Sequence, residues 1–104
     1  MLFRSYFTLG HYFNIKKQSN KAYYYLKQAY LQNLTSVKQK YVLFVNEYNY
    51  GKHVNDELSV ACYWTEQYKE GIQLIEEIID DPQFAHDRDR LATNLGFLKS
   101  KISQ

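Results

Sequence analysis

Punctuation is scarce in this sequence: one proline, Pro82, and four glycines are all that 104 residues contain. The strands of a small β-domain reverse direction every few residues, and glycine and proline supply most of those reversals. So few of them disfavours an all-β chain and favours long helices with short links. At this length one domain around one core is expected. Eleven Tyr, six Phe and one Trp make ring packing a dominant part of that core.

Hydrophobic periodicity divides the chain into helices. Phe3 to Ile15 sets Phe3, Tyr6, Phe7, Leu9, Gly10 and Phe13 near one side. Lys16-Lys17-Gln18-Ser19-Asn20 is polar, and Ser19 or Asn20 suits a helix N-cap. A second helix is expected from Lys21 to about Gln32, with Ala22, Leu26 and Ala29 at helical spacing. Thr35 and Ser36 offer a third start, although Tyr41-Val42-Leu43-Phe44-Val45 reads equally well as a short strand. Tyr50-Gly51-Lys52 interrupts the pattern, and from about Asn55 a helix carries Leu58, Ala61, Cys62 and Tyr63 to near Gln67. Tyr68 to Ile79 turns Ile72, Ile75 and Ile78 inward and Lys69, Glu70, Glu76 and Glu77 outward. Asp81-Pro82 stops it, because a residue before proline avoids the helical region. The last helix, about 86–102, aligns Leu91, Leu95, Leu98 and Ile102. Asp87 and Asp89 at its start and Lys99 and Lys101 at its end complement the helix dipole. The predicted fold is all-α, with antiparallel helix pairs closed by a C-terminal capping helix.

An internal repeat is legible in the spacing of small and large residues. Tyr6, Leu9-Gly10, Phe13, Ala22, Leu26 and Ala29 resemble a tetratricopeptide repeat, although Leu34 stands where the closing proline is usual. A second copy, 49 residues later, places Leu58-Ser59, Cys62, Tyr68, Gly71, Ile75 and Ile78 at the same offsets. Repeat-like units over 3–36 and 53–82, an insertion at 37–52 and the capping helix then account for the single domain. The resemblance implies a concave surface lined by the first helix of each pair. It would comprise Arg4, Phe7, His11 and Asn14, then His53, Asp56, Val60 and Tyr63, and would receive a protein segment or a neighbouring domain.

Residues 42–98 are also similar to the helical segment that follows the catalytic domain in some family-2-like glycosyltransferases of bacteria and large DNA viruses. Asp56-Glu57-Leu58-Ser59, Cys62-Tyr63-Trp64-Thr65, Tyr68-Lys69-Glu70-Gly71 and Arg90-Leu91-Ala92-Thr93-Asn94-Leu95 carry that similarity. The nucleotide-sugar-binding α/β domain of such enzymes needs well over 100 residues and has no room here. The similarity therefore implies an accessory or detached module, with a preceding catalytic domain or another protein as partner.

Signals for chemistry within the chain have plainer explanations. Asp87-Arg88-Asp89 mimics a metal-nucleotide motif but sits at a helix start without a glycine-rich loop. Asp80-Asp81 reads as a solvated helix end, and Asp56-Glu57 as a cap on the second repeat's first helix. His11, His53 and His86 lack metal-ligand spacing, and Cys62 reads as a buried structural thiol. No nucleophile elbow, phosphate loop or catalytic dyad is present. The expectation is a non-enzymatic chain with no cofactor and no metal. A single cysteine excludes an internal disulfide and a cysteine-rich zinc site. No stretch reaches the roughly 18 apolar residues of a membrane span, and the first fifteen residues lack a signal peptide's apolar run and cleavage site, so a cytoplasmic protein is expected.

Charge is unevenly distributed. Residues 1–52 hold eight basic side chains against Glu47, a net of +7, and residues 53–104 hold five against ten acidic ones, a net of −5. A small basic-faced nucleic-acid binder is the alternative this suggests, with Tyr23-Tyr24-Tyr25 between Lys21 and Lys27 as its platform. Helix geometry argues against it, since consecutive residues point about 100° apart. The split instead predicts opposite potential at the two ends of a stack and head-to-tail self-association through the first helix, by Phe3, Arg4 and Phe7.

Overall fold

The computed structural model describes the backbone of residues 3–38 and 45–103, and the side chains of residues 5–32 and 52–103. Among the described residues five α-helices follow one another: α1 (Phe3–Ile15), α2 (Ser19–Lys38), α3 (Val45–Trp64), α4 (Tyr68–Glu76) and α5 (Arg88–Ile102). A 3-10 turn, Pro82–Asp87, leads into α5. No strand occurs among the described residues, and the fold is all-α, as expected.

Two turns of the same geometry close the first and third helices. At the end of α1, Lys17 takes a left-handed φ of 60°, and at the end of α3 Glu66, 49 residues later, takes 65°. The Gln18 N–H bonds Phe13 O at 2.9 Å and the Lys17 N–H bonds Asn14 O at 3.1 Å; Gln67 to Cys62 and Glu66 to Tyr63 do the same at 2.8 and 3.5 Å. Each is a Schellman closure, which satisfies helix carbonyls that would otherwise lack donors. The next helix then opens alike in both, Ala22 N–H to Gln18 O and Gly71 N–H to Gln67 O.

Direction follows from side-chain partners. Tyr23 meets Glu70 and Tyr30 meets Glu77, so α2 and α4 run parallel. Asp56 meets Arg90 and Tyr63 meets Phe97, so α3 and α5 run parallel. With a tight turn inside each pair, α1, α3 and α5 all point one way. They form one layer, α3 touching both α1 and α5, while α2 and α4 lie behind.

Two connected sets of side chains fill the interior. Ala22, Leu26, Ala29, Val54, Leu58, Ala61, Cys62 and Leu74 are buried beneath Tyr6, Phe7, Phe13, Tyr23 and Tyr30. Ile75, Ile78, Phe84, Leu91 and Leu98 form the second set, against Tyr63, Tyr68, Ile72, Ile79 and Leu95. Small residues set the spacing. A Cβ on Gly10 would overlap Leu26 Cγ, and one on Gly71 would stand 3.0 Å from Leu98 Cδ2 and 3.1 Å from Cys62 Cβ. The three tyrosines of the YYY run diverge: Tyr23 turns to α4, Tyr24 is exposed, and Tyr25 stacks on Phe13 at 5.5 Å.

Several boundaries differ from expectation. The second helix starts at Ser19 and runs on through Thr35 and Ser36 to Lys38. The third starts at Val45 and passes through Tyr50-Gly51-Lys52 without a break. One interior glycine costs a helix only about 1 kcal/mol, which a 20-residue helix packed on four neighbours tolerates. The segment 37–52 is thus helical at both ends, while residues 39–44, with most of the Tyr41–Val45 strand alternative, lie outside the described residues. The fourth helix closes at Glu76, because the Ile78 N–H bonds Ile75 O and tightens the last turn.

Glycine substitutions separate these packing roles. Gly10→Leu and Gly71→Leu should each destabilise by about 1–3 kcal/mol or more through overpacking. Gly96 has open space around its Cβ position, so Gly96→Ala should stabilise by about 0.5–1 kcal/mol. Urea denaturation of the three variants checks both signs.

Candidate binding surface on the odd-numbered helices

The residues expected on the concave surface separate into three groups. On α1, His11 Nδ1 lies 2.8 Å from Glu57 Oε1, and the Asn14 amide donates to Glu57 Oε2 at 2.8 Å and to the Glu57 carbonyl at 3.0 Å. Phe7 is half-buried against the first core set, and the side chain of Arg4 lies outside the described residues. Glu57 therefore joins α1 to α3. It does not cap a helix, because α3 begins far upstream.

Asp56 is mid-helix for the same reason and binds Arg90 of α5. The guanidinium forks onto its carboxylate at 2.9 and 2.6 Å, with Asp87 a further 3.5 Å contact. Asp56 first, then Asp87, hold the Arg90 charge more firmly than usual, against some loss from burial. His53 faces the 3-10 turn, with Nε2 3.1 Å from the Gln83 amide and its ring 5.1 Å from buried Phe84. Asp81, read from sequence as solvated, accepts from Lys52 of α3 and from the Gln83 N–H at 2.8 Å. Those two donors hold its carboxyl below the usual carboxylate range.

Val60 and Tyr63 remain, and they line a cavity of about 290 Å³ between α3 and α5. Ser59, Trp64, Asn94, Phe97 and Leu98 complete its walls. Trp64 is 67% exposed and Phe97 55%, and the Tyr63 ring meets Trp64 edge-on at 5.0 Å. The lining is apolar and aromatic apart from the Ser59 hydroxyl, which is engaged with Asp56 O at 2.6 Å, and the Asn94 amide. Such a cleft suits an apolar side chain with one polar group beside it. Sequence reasoning missed Trp64, Asn94 and Phe97. The available signal was Phe97, a ring standing outside the Leu91-Leu95-Leu98-Ile102 stripe of the last helix.

The opposite face is closed by polar links. Glu70 accepts from the Tyr23 hydroxyl at 2.7 Å and from Lys27 at 2.6 Å. Glu77 accepts from Tyr30 at 2.9 Å and from the buried Asn55 amide at 2.8 Å, and Asn55 also donates to Leu74 O. Burial first, then Glu77, pushes the Tyr30 hydroxyl up to about 12. Tyr23 is raised further by burial and Glu70. Burial, with Glu70 adding to it, pushes the Cys62 thiol up to about 12, so it stays protonated at neutral pH.

Compared with known proteins, the chain matches no family model, no curated protein and no solved structure. No group of three or more His, Cys, Asp and Glu positioned for a metal ion occurs among the described residues. None of the described helices is long and apolar enough to cross a membrane.

The raised tyrosine and thiol values have a definite sign. Neutral forms held in the fold contribute stability that is complete below the unfolded values, about 10 for Tyr and 8.5 for Cys. That stability is lost as pH rises through the folded values. Thermal melts should therefore fall in Tm between about pH 9 and 12, and Tyr30→Phe should lose less over the upper part of that window. Cys62 should react with a thiol reagent at neutral pH only after urea unfolding.

Proposed function

We propose that this chain is a non-catalytic interaction module, in which two tetratricopeptide-like helix pairs and a closing helix present the α3–α5 cleft to a partner protein. One observation carries the reading: two aromatic rings more than half exposed frame a cavity that the fold itself leaves open. Exposed tryptophan beside a concave apolar pocket is the usual composition of an interface anchor. The Lys101 ammonium lies 5.9 Å over the Tyr63 ring at the rim, so a peptide with an aromatic or branched aliphatic anchor and acidic flanks complements it. Asp56, Glu57 and His11 on this face are committed to inter-helix bonds, which supports a structural use of all three. The similarity of residues 42–98 to a glycosyltransferase's helical segment supports such an enzyme as the partner, by linkage or by assembly, and an adjacent or fused glycosyltransferase coding sequence would identify it.

Selection of short displayed peptides against the protein tests the cleft. Binders should carry an aromatic or aliphatic anchor, shift Trp64 emission, and lose about tenfold in affinity on Phe97→Ala, or about 1.4 kcal/mol. Binders indifferent to Phe97→Ala and silent at Trp64 would contradict it.

A further inference from the structure

The parallel course of α1, α3 and α5 brings three helix C-termini, with the first turns of α2 and α4, to one pole of the molecule. Large apolar side chains are exposed there: Tyr12 at 50%, Ile15 at 63% and Ile102 at 42%, beside Trp64. Lys16, Lys17, Lys21, Lys69, Lys99 and Lys101 stand at the same pole, all exposed. Among the described residues the acidic side chains at this pole are Glu66 and Glu70, and Glu70 is already held by Tyr23 and Lys27. Lys16 lies 5.7 Å over the Tyr12 ring and Lys21 5.4 Å over Phe13. The other end, where α4 finishes and α5 begins, is mixed in charge, with Asp80, Asp81, Asp87 and Asp89 set among Lys52, Arg88 and Arg90. Among the described residues, exposed lysine is thus concentrated at one pole.

Helix energetics explain only part of this. Cations suit the C-terminal turns of α1 and α5, but Lys21 and Lys69 occupy the first turns of α2 and α4, where the dipole disfavours them. We propose that this pole docks on a membrane surface rich in anionic phospholipid. Tryptophan and tyrosine rings settle at headgroup depth, and isoleucine side chains reach the acyl boundary. Lysine stems lie along the apolar surface with their ammonium groups at the lipid phosphates. A nucleic acid would use the lysines and rings but gain nothing from Ile15 and Ile102, which offer no face on which a base can stack. The proposal does not depend on the cleft reading: Trp64 and Lys101 border both surfaces, while Ile15, Lys16 and Lys17 belong to the pole alone.

Trp64 is the lone tryptophan and reports the contact directly. Mixed phosphatidylserine–phosphatidylcholine vesicles should shift its emission to the blue and co-sediment the protein, while phosphatidylcholine vesicles alone should do neither. Binding should weaken from low to moderate salt, since screening acts over about 8 Å at physiological ionic strength. The double charge reversal Lys16→Glu with Lys17→Glu should weaken vesicle binding by roughly tenfold or more, and Ile15→Ser should also weaken it, with unchanged circular dichroism. Ile15 ends α1 and Lys16 and Lys17 follow it in the link to α2, away from the cleft, so peptide binding should survive these changes and the two readings can fail separately. Equal binding to phosphatidylcholine alone, no binding to either vesicle, or indifference to the substitutions would overturn the proposal. So would a larger Trp64 shift with a single-stranded oligonucleotide or with polyglutamate than with the mixed vesicles.

Discussion

The distance between the antiparallel helices of each pair governs everything else in this molecule. It is set where Gly10 lies under Leu26 and where Gly71 fits between Cys62 and Leu98. At these crossings a side chain would separate the backbones, so glycine is required for its small size and not for an unusual φ. With the helices held close, Leu26 and Ile75 are buried completely, and the links can be three residues long. A link that short needs a left-handed residue, which Lys17 and Glu66 supply at some conformational cost. Tight pairs then lean on one another through α1–α3 and α3–α5, and the layer of parallel helices follows.

Polar contacts between the pairs give the uneven charge of the sequence a structural meaning. Lys27 binds Glu70, Lys52 binds Asp81 and His11 meets Glu57. Each link joins a residue of the basic half to one of the acidic half. Part of the split is therefore consumed inside the fold, and the exposed lysines among the described residues gather at one pole. Individually such partly exposed pairs contribute little, typically 0–1 kcal/mol, but they fix the register of one pair on the next. Tyr23 and Tyr30 do the same from their hydroxyl ends while their rings cover the core. Aromatic abundance here reflects side chains that must both pack and donate.

Much of this was legible in the sequence. The bounds of α1, the small residues at the crossings and the buried Cys62 follow from spacing alone. What failed has a common cause. Gly51 was read as a break because local propensity was weighed without the neighbours that hold α3. Once the start of α3 moved upstream to Val45, Asp56 and Glu57 ceased to be caps and became mid-helix partners of Arg90, His11 and Asn14. The cleft was only half legible. Val60 and Tyr63 came from the repeat pattern, but Phe97 and Asn94 reach them across more than 30 residues of sequence, and no local period reports the packing of α5 on α3.

The account rests on two equivalent helix pairs, each closed by a left-handed residue that is not glycine. Replacing those residues by glycine tests it most directly, with stability read by urea denaturation. If Lys17 and Glu66 hold positive φ in the folded protein, Lys17→Gly and Glu66→Gly should each raise stability by roughly 0.5–1 kcal/mol, and the double variant should show nearly the sum. Glycine at an ordinary right-handed helical position would instead lower stability by about 0.5–1 kcal/mol. A loss of that size at both positions would contradict the paired turns, and with them the helix pairing on which the layer, the cleft and the lysine pole are built.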